Sequence, residues 1–169
     1  MRIGLEIDGV IADIFASAVN TFGCPTLDSA YSLDEMFLDV PDELLEDWRA
    51  RDTVYLHMPV IAGAVEGMAA LSEHNDLYLV TYRPIYLANV TLRWLRKNGF
   101  KVDPPLHSTD KFIEMSTLGL DAFIDSDPSV INGISGTDGY LFSQPFNQSR
   151  MAHQRVLDWT DLIVRLAHG

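Results

Sequence analysis

Cysteine, basic residues and long apolar runs are all scarce in this sequence. Cys24 is the one cysteine among 169 residues, so no intramolecular disulfide framework exists. That accords with a reducing, cytoplasmic setting, which is the expected location. Lys and Arg number 12 against 24 Asp and Glu, for a formal net charge of −12. Binding a nucleic-acid polymer rests on Lys and Arg neutralising phosphates, so no such polymer is expected as a partner. A small phosphorylated ligand stays open, because a divalent cation can neutralise both it and nearby carboxylates. No run of 18 apolar residues occurs, so neither a transmembrane helix nor a membrane partner is expected. The N-terminus begins a strand pattern at once, without the basic-then-apolar leader of a secretory signal. Repeats, low-complexity tracts and linkers are missing too, and the oligomeric state is left open.

What is present suffices for one domain with a small insertion, since 47% of the residues are hydrophobic and the length is that of a single domain. The opening stretch Ile3-Gly4-Leu5-Glu6-Ile7-Asp8-Gly9-Val10 organises the rest. It reads as a buried strand over 3–7 that delivers two acids to its C-terminal edge. Buried carboxylates are costly without a cation or hydrogen bonds to compensate them. In open parallel α/β sheets, ligands bind at the carboxyl ends of the strands. The plain alternative is a first strand whose Glu6 and Asp8 are merely solvated.

The pattern then predicts a helix over 12–22 that ends near Gly23. Residues 24–58 break the α/β rhythm and carry acids together with Tyr31, Phe37, Trp48 and Tyr55. Within them, 41–48 reads as a helix with Leu44, Leu45 and Trp48 on one face. We read 23–58 as a small helical cap, and 1–22 with 59–169 as the α/β core. In that core, helices are expected over 64–74, 85–98, 110–118, 128–131 and 157–167, and strands over 76–81, 102–108, 120–125 and 139–142. Such βα alternation makes a Rossmann-like parallel sheet of about five strands with helices on both faces.

Polar side chains recur where these strands end: Glu6 and Asp8, then Thr81, then Asp125 and Asp127, with Lys111 at the head of a helix. Carboxylates brought together at one edge make an all-oxygen site suited to Mg²⁺, which favours one or two carboxylates, waters and a phosphate. Thr81 offers a hydroxyl and Lys111 a positive charge to the same phosphate. Metal, hydroxyl and ammonium around one phosphoryl group stabilise the charge that develops in phosphoryl transfer. Each member also has a plainer reading. Thr81 and Asp127 could be helix N-caps, and Lys111 a solvated surface lysine.

Receiver domains of two-component signalling use similar parts, but they carry the phosphorylated Asp in mid-chain and lack an insertion after the first strand. The order here, Glu6-Ile7-Asp8-Gly9-Val10, Leu79-Val80-Thr81, Lys111, then Phe123-Ile124-Asp125-Ser126-Asp127-Pro128, resembles the haloacid dehalogenase superfamily. The chain looks most like its 5'(3')-deoxyribonucleotidase-type phosphatases. That likeness draws also on Asp8 to Asp13, Met58 to Ala64, Pro145-Phe146-Asn147 and Arg155 to Trp159.

The resemblance implies a haloacid dehalogenase-like fold with a helical cap. It implies Mg²⁺ held by Glu6, Asp8, Asp125 and Asp127, and a catalytic set of Glu6, Asp8, Thr81 and Lys111. Asp8 takes the acid/base position and Glu6 the nucleophile position, where the family has aspartate. Glutamate is one methylene longer, and a misplacement of about 1 Å can cost on the order of 100-fold in rate. Ser126 stands where the nucleotidases usually have a second acid. Gly9, Tyr82, Arg83, Phe15 and Trp48 are the expected substrate-binding residues, the aromatics as stacking partners for a base. Two functions follow: a Mg²⁺-dependent phosphatase of small phosphorylated molecules such as nucleoside monophosphates, or a protein that binds a phosphate or nucleotide without hydrolysing it.

Overall fold

A computed structural model describes residues 1–25 and 33–166. Six parallel strands lie in the order β3-β2-β1-β4-β5-β6. They are β1 (Arg2–Leu5), β2 (Asp76–Thr81), β3 (Leu106–His107), β4 (Ala122–Asp125), β5 (Asp138–Phe142) and β6 (Arg155–Val156). β1 is central. Its Leu5 pairs with Leu79 of β2 on one side and Ile124 of β4 on the other. A strand enclosed on both edges and both faces must be apolar throughout, and Ile3, Leu5, Phe123 and Ile124 are fully buried.

Helices cover both faces. Alternate strand residues point to opposite sides, so Ile3, Leu5 and Ile124 pack with Met68, Leu71, Trp94 and Leu162. Phe123 and Val80 pack with Met115, Val130 and Ile131. The first set comes from α5 (Ala64–Ser72), α6 (Ala88–Lys97) and α9 (Trp159–Leu166), the second from α7 (Lys111–Leu118) and α8 (Pro128–Gly133). Gly67 allows α5 to meet α9 closely, since a Cβ there would lie 3.0 Å from Cδ2 of Trp159.

Several boundaries differ from expectation for physical reasons. Pairing of β1 stops at Leu5, because the chain then turns and Ile11 and Ala12 both donate to the Ile7 carbonyl. Helix α1 (Ile14–Phe22) starts two residues late, since Asp13 caps it by accepting the Ala16 N–H. Pro104 and Pro105 supply no N–H to a ladder, so the third strand shrinks to two residues. The sixth strand, beyond the five expected, is equally short. The helix expected over 85–98 opens as a 3-10 turn, Ile85–Leu87, before α6.

Between α1 and α5, the described part of the insertion folds as α2 (Leu33–Met36), α3 (Asp42–Arg49) and α4 (Asp52–His57). These helices share an apolar cluster with α1, built on Leu33, Met36, Phe37, Leu45, Trp48 and Ala18. Leu44, expected on that face, is instead 53% exposed. Among the described residues no helix is long and apolar enough to cross a membrane.

Candidate active site

The C-terminal edge of the sheet carries a buried cluster of three charges. Glu6 follows β1, Asp125 ends β4, and Lys111 opens α7. The Lys111 ammonium pairs with Glu6 Oε2 and donates to Asp125 Oδ2 at 2.6 Å. All three side chains are nearly inaccessible. Glu6 curls back on its own main chain, so that Oε1 accepts the N–H of Ile7 at 2.7 Å and of Asp8 at 3.3 Å. The additional methylene of glutamate is thereby taken up by the turn of the side chain. Asp125 Oδ1 accepts the Asp127 N–H at 2.9 Å.

Two carboxylates share one ammonium, so a formal negative charge remains in a buried place. Burial pushes the Asp125 carboxyl up to about 6, with Lys111 opposing and Glu6 adding to the shift. Burial pulls the Lys111 ammonium down, but Asp125 and Glu6 more than offset it and hold it above the usual lysine range.

Asp8 and Arg83 form a second pair. Arg83 Nε donates to Asp8 Oδ2 at 2.9 Å and Nη2 to Oδ1 at 2.6 Å. Arg83, expected at the substrate, lines the neighbouring cavity with its side chain 1% exposed. A guanidinium can be kept so deep only with its donors satisfied, and the fork of Asp8 does that. Thr81, at the end of β2, is fully buried. Its hydroxyl accepts the Arg83 N–H at 3.3 Å, and it does not line the neighbouring cavity.

A cavity of about 450 Å³ opens above the triad, with Glu6, Asp8, Lys111 and Asp125 on its floor. Tyr82 lines it and lays its ring over the Lys111 ammonium, 4.0 Å from the ring centre. Phe15 and Trp48, expected at the substrate, do not line it. Phe15 packs against Phe37 and Phe146, and Trp48 stands edge-on to Phe22. Both are used up in the apolar cluster between α1 and the insertion. Tyr31 lies outside the described residues. The aromatics that do face the cavity are Tyr55, Tyr82, Tyr86 and Phe146, joined by Glu46 and Arg49 of α3. The spacing of Tyr82 and Tyr86, four apart around a turn, was the available signal for Tyr86. Nothing local marks Glu46 or Arg49.

Gly9 does not line the cavity either. It takes φ +86°, and a Cβ there would lie 2.8 Å from Ser126 Cβ. Its smallness brings Ser126 against the loop after β1, where the Ser126 hydroxyl donates to the Asp8 carbonyl at 3.3 Å. Gln144 and Asn147 complete this support. Gln144 Nε2 donates to the Gly9 carbonyl at 2.9 Å, and Asn147 Nδ2 to the Ser126 carbonyl at 2.8 Å.

A metal would meet a limited donor set. Among the described residues no three His, Cys, Asp or Glu side chains converge on one point. Asp8 is occupied by Arg83, and Asp127 accepts the Ser129 N–H at 2.7 Å as the N-cap of α8. Both side chains are thus engaged by protein donors. Glu6 and Asp125 are engaged as well, by Lys111 and by the N–H groups of Ile7, Asp8 and Asp127, but they share one ammonium between two carboxylates. Two carboxylates with an unbalanced negative charge fit a hard cation that keeps several waters and takes a phosphate oxygen.

No protein-family model matches this chain, and no curated protein matches it in sequence. Solved structures do. A conserved haloacid dehalogenase-like protein of unknown function from Agrobacterium tumefaciens superposes with a TM-score of 0.65 at 13% identity, over 99% of this chain and 97% of that one. A haloacid dehalogenase family hydrolase from Deinococcus radiodurans, solved with phosphate and sodium, gives 0.64 at 12%, over 99% and 95%. A haloacid dehalogenase-like hydrolase from Streptococcus pneumoniae gives 0.61 at 11%, over 98% and 97%. The fold of this chain is thus haloacid dehalogenase-like.

Proposed function

We propose that this protein is a phosphatase of small phosphorylated molecules, with nucleoside monophosphates as the substrate class. The observation that carries the reading is the Glu6–Lys111–Asp125 triad on the floor of a cavity at the ligand edge of the sheet. A cavity of about 450 Å³ is within the usual range for a small-molecule site. The similar fold from Deinococcus radiodurans holds phosphate and sodium, which supports a phosphoryl group beside a cation here.

In this reading Lys111 draws the phosphate down by charge, and Glu6 attacks phosphorus. The bond from phosphorus to the leaving oxygen breaks as the Glu6–phosphorus bond forms. Asp8 serves as the acid/base, giving a proton to the leaving oxygen and taking one from the water that later frees phosphate. Thr81 holds the loop of Arg83 behind them. Mg²⁺, held by Glu6, Asp125 and the Asp8 carbonyl, would neutralise the phosphoryl oxygens.

One observation favours the second reading, a phosphate-binding protein without turnover. Both Glu6 oxygens already have partners, Ile7 and Asp8 N–H groups on one and Lys111 on the other. The test is an assay of the purified protein and of Glu6→Asp, with Mg²⁺, against ribo- and deoxynucleoside monophosphates. Hydrolysis by the wild type supports the phosphatase. An inert wild type with an active Glu6→Asp supports the binding protein. If neither turns over and neither binds phosphate by calorimetry, both readings fall.

A further inference from the structure

We propose that Arg83 is a positioning residue that fixes the Asp8 carboxylate and ties it to the turn where the helical insertion rejoins the sheet. The inference deepens the phosphatase reading, in which Asp8 is the acid/base. Arg83 follows β2 and points inward. Its guanidinium lies over the ring of Tyr55 in α4, 4.7 Å from the centre, and within 5.9 Å of the Trp94 ring centre. Nη1 donates to the Thr91 hydroxyl at 3.2 Å, and Nη2 also approaches the Met58 sulfur at 3.6 Å. Among the described residues, the remaining hydrogen bonds of the fork go to Asp8.

The turn at Met58 and Pro59 is fastened from three sides. Trp94 Nε1 donates to the Met58 carbonyl at 2.8 Å. The Asp13 N–H donates to the Pro59 carbonyl at 2.8 Å. Arg83 supplies the third tie, and it is the one that reaches a site carboxylate. A planar guanidinium can hold two carboxylate oxygens, an aromatic face and a hydroxyl at once, whereas an ammonium keeps the charge but loses the fork. Asp8 therefore has its orientation set by a guanidinium whose donors are spent on protein groups, and α4 is anchored through the same group.

The test uses Arg83→Lys, Asp8→Asn and Tyr55→Leu in the full chain, with two measurements. Amide hydrogen exchange is read at residues 54–58, with Leu77–Val80 as the reference. We expect exchange at 54–58 to quicken by on the order of fivefold in Arg83→Lys and Asp8→Asn, with the reference within about twofold. Unchanged exchange at 54–58, or equal quickening in both segments, overturns the proposal. Turnover of p-nitrophenyl phosphate should fall on the order of 10-fold in kcat for Arg83→Lys and Tyr55→Leu with KM held, the mark of a misaligned reacting group. Unchanged kcat, or a change confined to KM, overturns it as well. If the wild type hydrolyses nothing, the phosphatase reading fails while the exchange measurement still decides the tie. Should Arg83→Lys not fold, Asp8→Asn carries the exchange test and Tyr55→Leu the kinetic one.

Discussion

Lys111 donates to Asp125 Oδ2 at 2.6 Å across the gap between α7 and β4, with 2% of either side chain exposed. Glu6 takes the other side of the same ammonium. One cation thus serves two carboxylates in a place that water scarcely reaches, and much of the behaviour of the site follows from that imbalance.

Removing the ammonium should be expensive. In Lys111→Met, two buried carboxylates lose their shared partner, at an expected cost of about 3–5 kcal/mol, the range for breaking a buried pair. Urea unfolding measures it. If the two carboxylates also hold a divalent cation, added Mg²⁺ should recover more stability in the variant than in the wild type.

The pH dependence has a definite sign. The Asp125 carboxyl sits near 6 in the folded protein, raised from 3.8 by burial. The folded state therefore holds this proton more tightly than the unfolded one. The stability it brings is complete below about pH 4 and is lost as pH rises through 6. Asp125→Asn has no such proton. Its stability relative to wild type should therefore rise between pH 4 and 7 in chelator, then level off. A flat difference across that range would contradict the assignment.

Gly9→Ala should destabilise by about 1–3 kcal/mol, the cost of a side chain in left-handed backbone, and more if Ser126 cannot yield. The φ of +86° and the 2.8 Å approach to Ser126 Cβ act together. Denaturant midpoints give the cost. Phosphate affinity should fall in parallel, because Ser126 and the Asp8 carbonyl are bonded across this contact.

Aromatic truncations should separate packing from recognition. Trp48→Ala empties a buried position of the insertion cluster and should cost about 3–5 kcal/mol of stability. Tyr86→Ala, 63% exposed at the cavity wall, should leave stability nearly unchanged and raise the dissociation constant for a nucleoside monophosphate. Calorimetry of both variants with one ligand checks the contrast.

The acids that gather at the site were readable in sequence because each ends a short apolar run. Glu6 and Asp125 stand at the ends of neighbouring strands, and buried strands announce themselves by composition alone. Lys111 was readable as the head of a helix. Which cation meets which acid was not readable. It depends on β2 lying beside β1, a relation between residues 75 apart in the chain, and that adjacency turns Arg83 from the solvent towards Asp8. Phe15 and Trp48 misled for a related reason. An aromatic on a short helix looks the same whether it faces a ligand or a neighbouring helix, and only the cluster between α1 and the insertion decides. Strands of two residues, as at Arg155–Val156, have no period to detect.

The central position of β1 has a consequence for synthesis. β1 is made first, yet its partners lie at residues 76–81 and 122–125. At ordinary elongation rates the nascent chain waits roughly 10 s for the second of them. Until then this buried strand keeps at least one open edge, the condition in which chains associate wrongly. The ammonium partner of Glu6, Lys111, is itself made late in that interval, so the carboxylate at the end of β1 keeps that edge charged and wet until the sheet can close around it.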